Sequence, residues 1–169
     1  MILCYIVIIF LALSCQENTN ISQGKGTIEI PAKNNLHLYR SGAIVDTSTI
    51  IVKKYNIFTY INASCASCLP KFEILNNLYA KIKQKKDISF YCISYSKDNF
   101  ELLKFLVEDR KINIPKYDIV LHPEKMQEKP EIVAKLNITF ITDRNLNILY
   151  EADLVDHPET FETLIDKLK

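Results

Sequence analysis

Two cysteines three positions apart, Cys65 and Cys68, are the residues of this chain best suited to chemistry. They close the stretch Phe58-Thr59-Tyr60-Ile61-Asn62-Ala63-Ser64-Cys65-Ala66-Ser67-Cys68, after an apolar run of strand length and at the mouth of a stretch with helical periodicity. At a helix mouth the backbone N–H groups and the helix dipole favour negative charge, so a thiolate there is stabilised and its pKa falls. The thiolate is the attacking form. Two intervening residues put the second sulfur within bonding distance of the first, so a mixed disulfide formed at one can be resolved by the other. Cys65, at the exposed end, is the expected nucleophile and Cys68, one turn further in, the resolving thiol. The competing readings of the pair are a static structural disulfide and a metal site.

The other candidate ligands do not assemble into a set. Zinc takes about four ligands, and the three histidines, His37, His122 and His157, are not spaced as partners for the pair. His122 follows a strand end and reads as an exposed loop residue. Cys92 alternates with Phe90 and Ser94 in a continuous apolar run, which makes it a small core residue and not a third redox thiol. The Lys81–Lys86 run closes a helix, where positive charge suits the C-terminal dipole.

The elements that must position the pair alternate between strand and helix. Thr27–Ile30 and Leu36–Tyr39 read as a short leading hairpin, and Ile57–Ile61 as the first central strand. Leu69, Phe72, Leu75, Leu78, Tyr79 and Ile82 recur at three and four residues, which predicts a helix from about Ser67 to Lys85. Starting it at Ser67 keeps Pro70 in the first turn, where proline is tolerated. Ile88–Tyr95 is continuous and rich in β-formers, as for a strand covered on both faces. Ser96 can cap the next helix, whose apolar stripe is Phe100, Leu103, Leu106 and Val107. A short strand at Ile119–Leu121 and a brief helix at Pro130–Leu136 follow. Thr139–Thr142 and Asn147–Tyr150 flank the turn Asp143-Arg144-Asn145-Leu146, and His157-Pro158 opens a last helix with Leu164, Ile165 and Leu168 inward. The order β-α-β-α-β-(α)-β-β-α implies a mixed sheet, parallel at first by right-handed crossovers and antiparallel in its final hairpin.

Composition sets the frame around this unit. The 169 residues are 48% hydrophobic and 24% charged, the range of an ordinary globular chain of about one domain. Lys+Arg 21 against Asp+Glu 20 leaves +1, which argues against electrostatic binding of nucleic acid. Three Gly and six Pro exclude collagen-like and low-complexity chains.

No charge occurs in residues 1–14, and Ile2–Leu13 is an almost wholly apolar run. A spanning helix needs about 20 residues, whereas a run of this length fits the apolar core of a secretory signal. Ala12-Leu13-Ser14-Cys15 resembles the cleavage site of a bacterial lipoprotein signal. That resemblance implies a signal peptide over 1–14 and lipidation at Cys15, with Cys4 discarded. Residues 15–26 are polar and read as a tether, and 27–169 as the folded domain. Acyl chains on one cysteine then make a stable membrane anchor.

A CxxC between the first central strand and first helix of a β-α-β-α-β-β-α series in an exported chain is a strong signal. Over about residues 50–169 the chain resembles the thioredoxin superfamily, and within it the membrane-anchored extracytoplasmic thiol–disulfide oxidoreductases. Ile57–Leu75 and Thr139-Phe140-Ile141-Thr142-Asp143 with its hairpin carry the likeness. The resemblance implies an α/β, thioredoxin-like fold and a role for Cys65 and Cys68 in exchange with protein thiols and disulfides. It also implies no bound cofactor, and a redox partner that resets the pair. The expected location is the bacterial cell envelope, facing the periplasm or exterior. Copper-carrying relatives of the fold use a wider Cys spacing plus a His, which this chain does not show.

Three positions depart from the family. Ser64 stands where a Trp usually precedes the first Cys, and Thr59 where a buried acid assists proton transfer in thioredoxins. Leu136-Asn137-Ile138-Thr139 stands where the family places a cis-Pro, and without Pro a trans route is expected. These departures support a rival reading, an adaptor with an inert Cys65–Cys68 clip. A peroxide-reducing reading would need Thr and Arg around the first Cys; only Ser64 and Ser67 lie nearby.

Overall fold

The computed structural model describes residues 21–28, 37–40, 43–46, 51–109, 118–121 and 136–168. In chain order these form β1 (Ile21–Gln23), β2 (His37–Arg40), β3 (Ala43–Asp46), β4 (Tyr55–Asn62), α1 (Lys71–Ile82) and β5 (Ile88–Tyr95). They continue as α2 (Glu101–Glu108), β6 (Asp118–Leu121), β7 (Thr139–Thr142), β8 (Ile148–Ala152) and α3 (Thr160–Asp166). All eight strands belong to one sheet, in the order β1-β8-β7-β4-β5-β6-β2-β3.

β4 and β5 occupy its centre because their sequences can be buried on both faces. YNIFTYIN and ISFYCISY are dominated by β-branched and aromatic side chains, and every residue of β5 is buried. The two pair in parallel over their whole length, from Tyr55 opposite Ile88 to Asn62 opposite Tyr95. β6 continues the parallel set, and β7, β8 and β1 add antiparallel strands on the other side. The mixed α/β sheet is therefore the one expected from the order of elements.

Alternation along β4 separates two cores. Ile57 and Ile61 join Phe72, Leu75 and Leu78 of α1 and Phe161, Leu164 and Ile165 of α3, all buried. The opposite face is aromatic: Phe58 stacks on Tyr91 at 5.8 Å, Tyr60 on Tyr95 at 5.9 Å, and Tyr60 meets Phe140 edge-on at 5.7 Å. Such pairs add about 0.5–1.5 kcal/mol each beyond the area they bury. Burial, with Tyr95 adding to it, pushes the Tyr60 phenol well above its ordinary pKa.

Polar groups inside this frame are satisfied across strands. Asn56 is fully buried at the start of β4. Its Oδ1 accepts from the Lys53 N–H at 2.8 Å and the Ser89 hydroxyl at 2.7 Å, and its Nδ2 donates to the Asp143 carbonyl at 3.0 Å. One side chain thus ties the first residues of β4 and β5 to the end of β7.

The structure moves several boundaries. α1 begins at Lys71 and not at Ser67: proline disfavours helical backbone at the residue before it, here Leu69, and Pro70 serves as the N-cap residue instead. It ends at Ile82, inside the lysine run, with Lys81 in its last turn and Lys83 as its C-cap residue. The leading hairpin is formed by β2 and β3, not by Thr27–Ile30 with Leu36–Tyr39; Thr27 makes a single bridge to Asn147. Ile21–Gln23, within the stretch read as a tether, pairs with β8. The last helix starts at Thr160 after a turn through His157 and Pro158, with Leu164, Ile165 and Leu168 inward as expected. In the stripe of α2, Phe100 and Leu103 are buried and the neighbouring Phe105 is 51% exposed. The turn Asp143–Leu146 is present, closed by the Leu146 N–H on the Asp143 carbonyl at 3.1 Å. The helix read at Pro130–Leu136 falls almost wholly outside the described residues, and its last residue, Leu136, stands in a turn.

Candidate functional site

The parallel ladder of β4 and β5 is prolonged past the end of β4 by the Ala63 N–H, which donates to the Tyr95 carbonyl at 2.7 Å. The chain then leaves the sheet and turns. The Cys65 carbonyl accepts from the N–H of Cys68 at 2.9 Å and of Leu69 at 3.3 Å, and the Cys68 and Leu69 carbonyls accept from Lys71 at 3.1 Å and Phe72 at 3.1 Å. These tight turns bring Cys65 and Cys68 to a Cα separation of 5.2 Å, and their sulfurs are bonded as a disulfide. Both cysteines are half-buried, Cys68 packs against the α1 core, and Ala66 and Ser67 between them are exposed.

Ser67 does not cap α1. Its hydroxyl lies 3.2 Å from the Cys65 sulfur, which in the disulfide can only accept. The regular helix begins six residues after Cys65, so the dipole acts on this sulfur at longer range than the sequence suggested. The Ser67 hydroxyl is the local donor available to a Cys65 thiolate.

Ser64, immediately before Cys65, is fastened to the loop after β5. Its hydroxyl donates to Asp98 Oδ1 at 2.9 Å and accepts from the Lys97 N–H, while its own N–H donates to Asn62 Oδ1 at 2.9 Å. The Ser96 hydroxyl also donates to Asp98 Oδ1 and accepts from the Phe100 N–H at 2.7 Å. Asp98 Oδ2 takes the Leu102 N–H at 3.1 Å, so Asp98 supplies the helix-capping bond expected of Ser96. Partial burial raises the Asp98 pKa, but the Ser96 and Ser64 hydroxyls and the Leu102 N–H outweigh it and hold the carboxyl below its ordinary value. The sequence reading missed Asp98; the Ser96-Lys97-Asp98 turn after a buried strand was the available signal.

The departing positions have definite places. Thr59 is fully buried on the α1 face of β4, and its hydroxyl pairs with that of Thr139 at 2.8 Å. Asn137 takes a left-handed conformation with φ 67°, its N–H donates to the Tyr60 carbonyl at 2.9 Å, and no cis peptide bond occurs among the described residues. Cys92 is fully buried, and desolvation, offset in part by the Ser94 hydroxyl, pushes its thiol up to about 12. It is the core residue the sequence suggested. Cys15 and His122 lie outside the described residues. His157, whose Nδ1 is 3.3 Å from Glu159, belongs to the turn before α3.

No protein-family model matches the chain, and neither does any curated protein. Solved structures do. A Chlorobium tepidum protein assigned as a thiol:disulfide interchange protein DsbE superposes with a TM-score of 0.52 at 18% identity, covering 87% of this chain and 96% of that one. The chain has a thioredoxin-like fold. A thiol-disulfide oxidoreductase from Bacteroides fragilis matches the thioredoxin-like core at TM-score 0.51 and 15% identity, over 69% of this chain and 82% of that one. BsSco, a member of the Sco family of cytochrome c oxidase assembly proteins with an identified disulfide switch, matches at TM-score 0.53 and 14% identity, over 86% and 95%.

Proposed function

We propose that this thioredoxin-like chain carries out thiol–disulfide exchange with partner proteins outside the cytoplasm. The observation that carries the reading is the Cys65–Cys68 disulfide at the half-buried end of the sheet, with the Ser67 hydroxyl on the outer sulfur. In the reducing direction the Cys65 thiolate attacks a partner disulfide, and one partner sulfur leaves as thiolate. The Cys68 thiolate then attacks Cys65 Sγ; the Cys65–partner bond breaks, the internal disulfide forms, and the second partner thiolate leaves. The partner gains two electrons and the pair loses two. A separate redox partner resets the pair. The apolar run before Ser14-Cys15 supports a lipid anchor at Cys15 in a bacterial envelope.

The reading is tested with a Cys68→Ser variant and a small disulfide-bonded protein as probe. An exchanger accumulates a reductant-sensitive adduct through Cys65; no adduct, with Cys65 still open to alkylation, would overturn it. The rival clip is separated by potential, since structural disulfides fall below about −300 mV. Membrane retention of a Cys15→Ala variant would remove the anchor from the proposal.

A further inference from the structure

The loop after β5 has features that helix capping alone does not require. Ser64 and Asp98 stand 34 positions apart, yet the Ser64 hydroxyl is engaged on both sides by that loop, donating to Asp98 Oδ1 and accepting the Lys97 N–H. Asp98 Oδ1 takes a second hydroxyl, from Ser96, and Oδ2 takes the Leu102 N–H, so the carboxylate is held from three directions. Between them, Asn99 and Phe100 both adopt left-handed backbone, with φ 55° and 65°. Asn tolerates that region, whereas Phe rarely enters it, and such conformations persist only where the surroundings over-determine them. Here the Ser96 hydroxyl fixes the Phe100 N–H at 2.7 Å, and the Phe100 ring is buried.

We propose that Asp98, acting through Ser64, is a positioning residue that holds Cys65 in register for attack by Cys68. The proposal rests on the exchange reading and adds to it the group that aligns the nucleophile. The backbone of Cys65 is gripped from both sides. The Ser64–Asp98 latch fixes the residue before it, and the Cys68 and Leu69 N–H groups fix its carbonyl. Internal closure needs both cysteines held in one geometry, so the latch raises the effective concentration of the Cys68 thiol at Cys65 Sγ. Attack by Cys65 on a partner has no such requirement and is little affected by the latch.

The test is the equilibrium of the full chain in glutathione buffers. Two glutathione thiols reduce the bond, yielding the Cys65 and Cys68 thiols and one glutathione disulfide, so no protein partner is needed. Ser64→Ala breaks the latch without removing the charge, and Asp98→Ala removes both. Each is expected to lower the effective concentration about tenfold, which raises the potential by about 30 mV. The double variant should shift no further than the larger single one, because both act through one contact. Ser64→Thr, which restores a hydroxyl, should return most of the shift.

A wild-type potential in Ser64→Ala overturns the proposal, as do additive shifts in the double variant. Should Asp98→Ala fail to fold, Ser64→Ala and Ser64→Thr still decide the matter. If the Cys68→Ser variant forms no adduct while the latch variants shift the potential, the exchange reading fails and the latch stands. The converse result removes the latch alone.

Discussion

Replacing Ser67 by alanine tests the local electrostatics of Cys65. The Ser67 hydroxyl is 3.2 Å from the Cys65 sulfur, and on reduction it faces a thiolate. A hydrogen bond to a charged group contributes about 1.5–3 kcal/mol to stability. Ser67 is exposed, so water replaces much of the lost donor, and about half of that range, roughly 0.7–1.5 kcal/mol, is the expected loss. At 1.36 kcal/mol per unit this raises the Cys65 pKa by about 0.5–1 unit. The reduced form loses stability relative to the disulfide, so the potential falls by about 15–30 mV where the thiolate is populated. This sign is opposite to that of the latch variants, which separates the two effects. The assay is the rate of Cys65 alkylation against pH in the Cys68→Ser background, with the glutathione equilibrium of the intact pair. An unchanged or lowered Cys65 pKa in Ser67→Ala would refute the reasoning.

Cys92, fully buried with its thiol pushed up to about 12, should be alkylated only on unfolding. Cys92→Ala should cost about 1–2 kcal/mol in urea unfolding and leave the potential of the Cys65–Cys68 pair unchanged. Asn56→Ala strands the buried Ser89 hydroxyl and the part-buried Lys53 N–H, while the Asp143 carbonyl keeps the Leu146 N–H, and at about 1–3 kcal/mol for each group left unpaired the loss should reach about 2 kcal/mol or more. A lowered urea midpoint at constant slope would confirm it. Asp143 is held below its ordinary pKa, chiefly by the Asn147 side chain, and Asp98 is also held low, its hydroxyl and N–H donors outweighing burial. Because both folded-state values lie below the unfolded ones, their stabilisation is complete above the ordinary Asp pKa of about 3.9 and is lost as pH falls through the folded values. Acid titration of stability should show this loss, and Asp143→Asn should flatten part of it.

What the sequence made legible follows from how each feature is encoded. β4, β5 and the inward face of α1 were readable because a buried strand or helix repeats its apolar residues over eight or more positions. The placement of the CxxC followed from those elements. The start of α1 was misplaced because Ser67 looks like a cap, and only the turns after Cys65 show that Pro70 delays the helix. β1 has just three residues, and β2 and β3 four each, so tertiary pairing and not local pattern decides their limits. Asp98 was missed for a different reason: the turn that carries it was legible, but its partner Ser64 is 34 residues away, and no periodicity marks a single hydrogen bond at that distance.

The buried polar groups of β4 constrain how protons can move. β4 places Thr59 between Ile57 and Ile61 on the α1 face, opposite Thr139 on one side and Cys92 on the other. The two threonine hydroxyls satisfy each other at 2.8 Å, and neither can take up a proton near neutrality. Among the described residues, Asp98 is a carboxylate tied to the site through Ser64; its two oxygens already accept from Ser64, Ser96 and Leu102 and its pKa is low, which makes it a poor base. On the exchange reading, Thr59, Thr139 and Asp98 are therefore not the base for the Cys68 thiol, and release of its proton to solvent beside the exposed Ala66 and Ser67 is the expected route. Among the described residues, two polar contacts then flank Cys65: on the proposals above, the Ser67 hydroxyl sets how readily Cys65 ionises, and the Ser64–Asp98 contact sets how readily the ring closes. The first favours the reduced pair and the second the disulfide, so the potential of the site is the balance of two opposed contacts on either side of one sulfur.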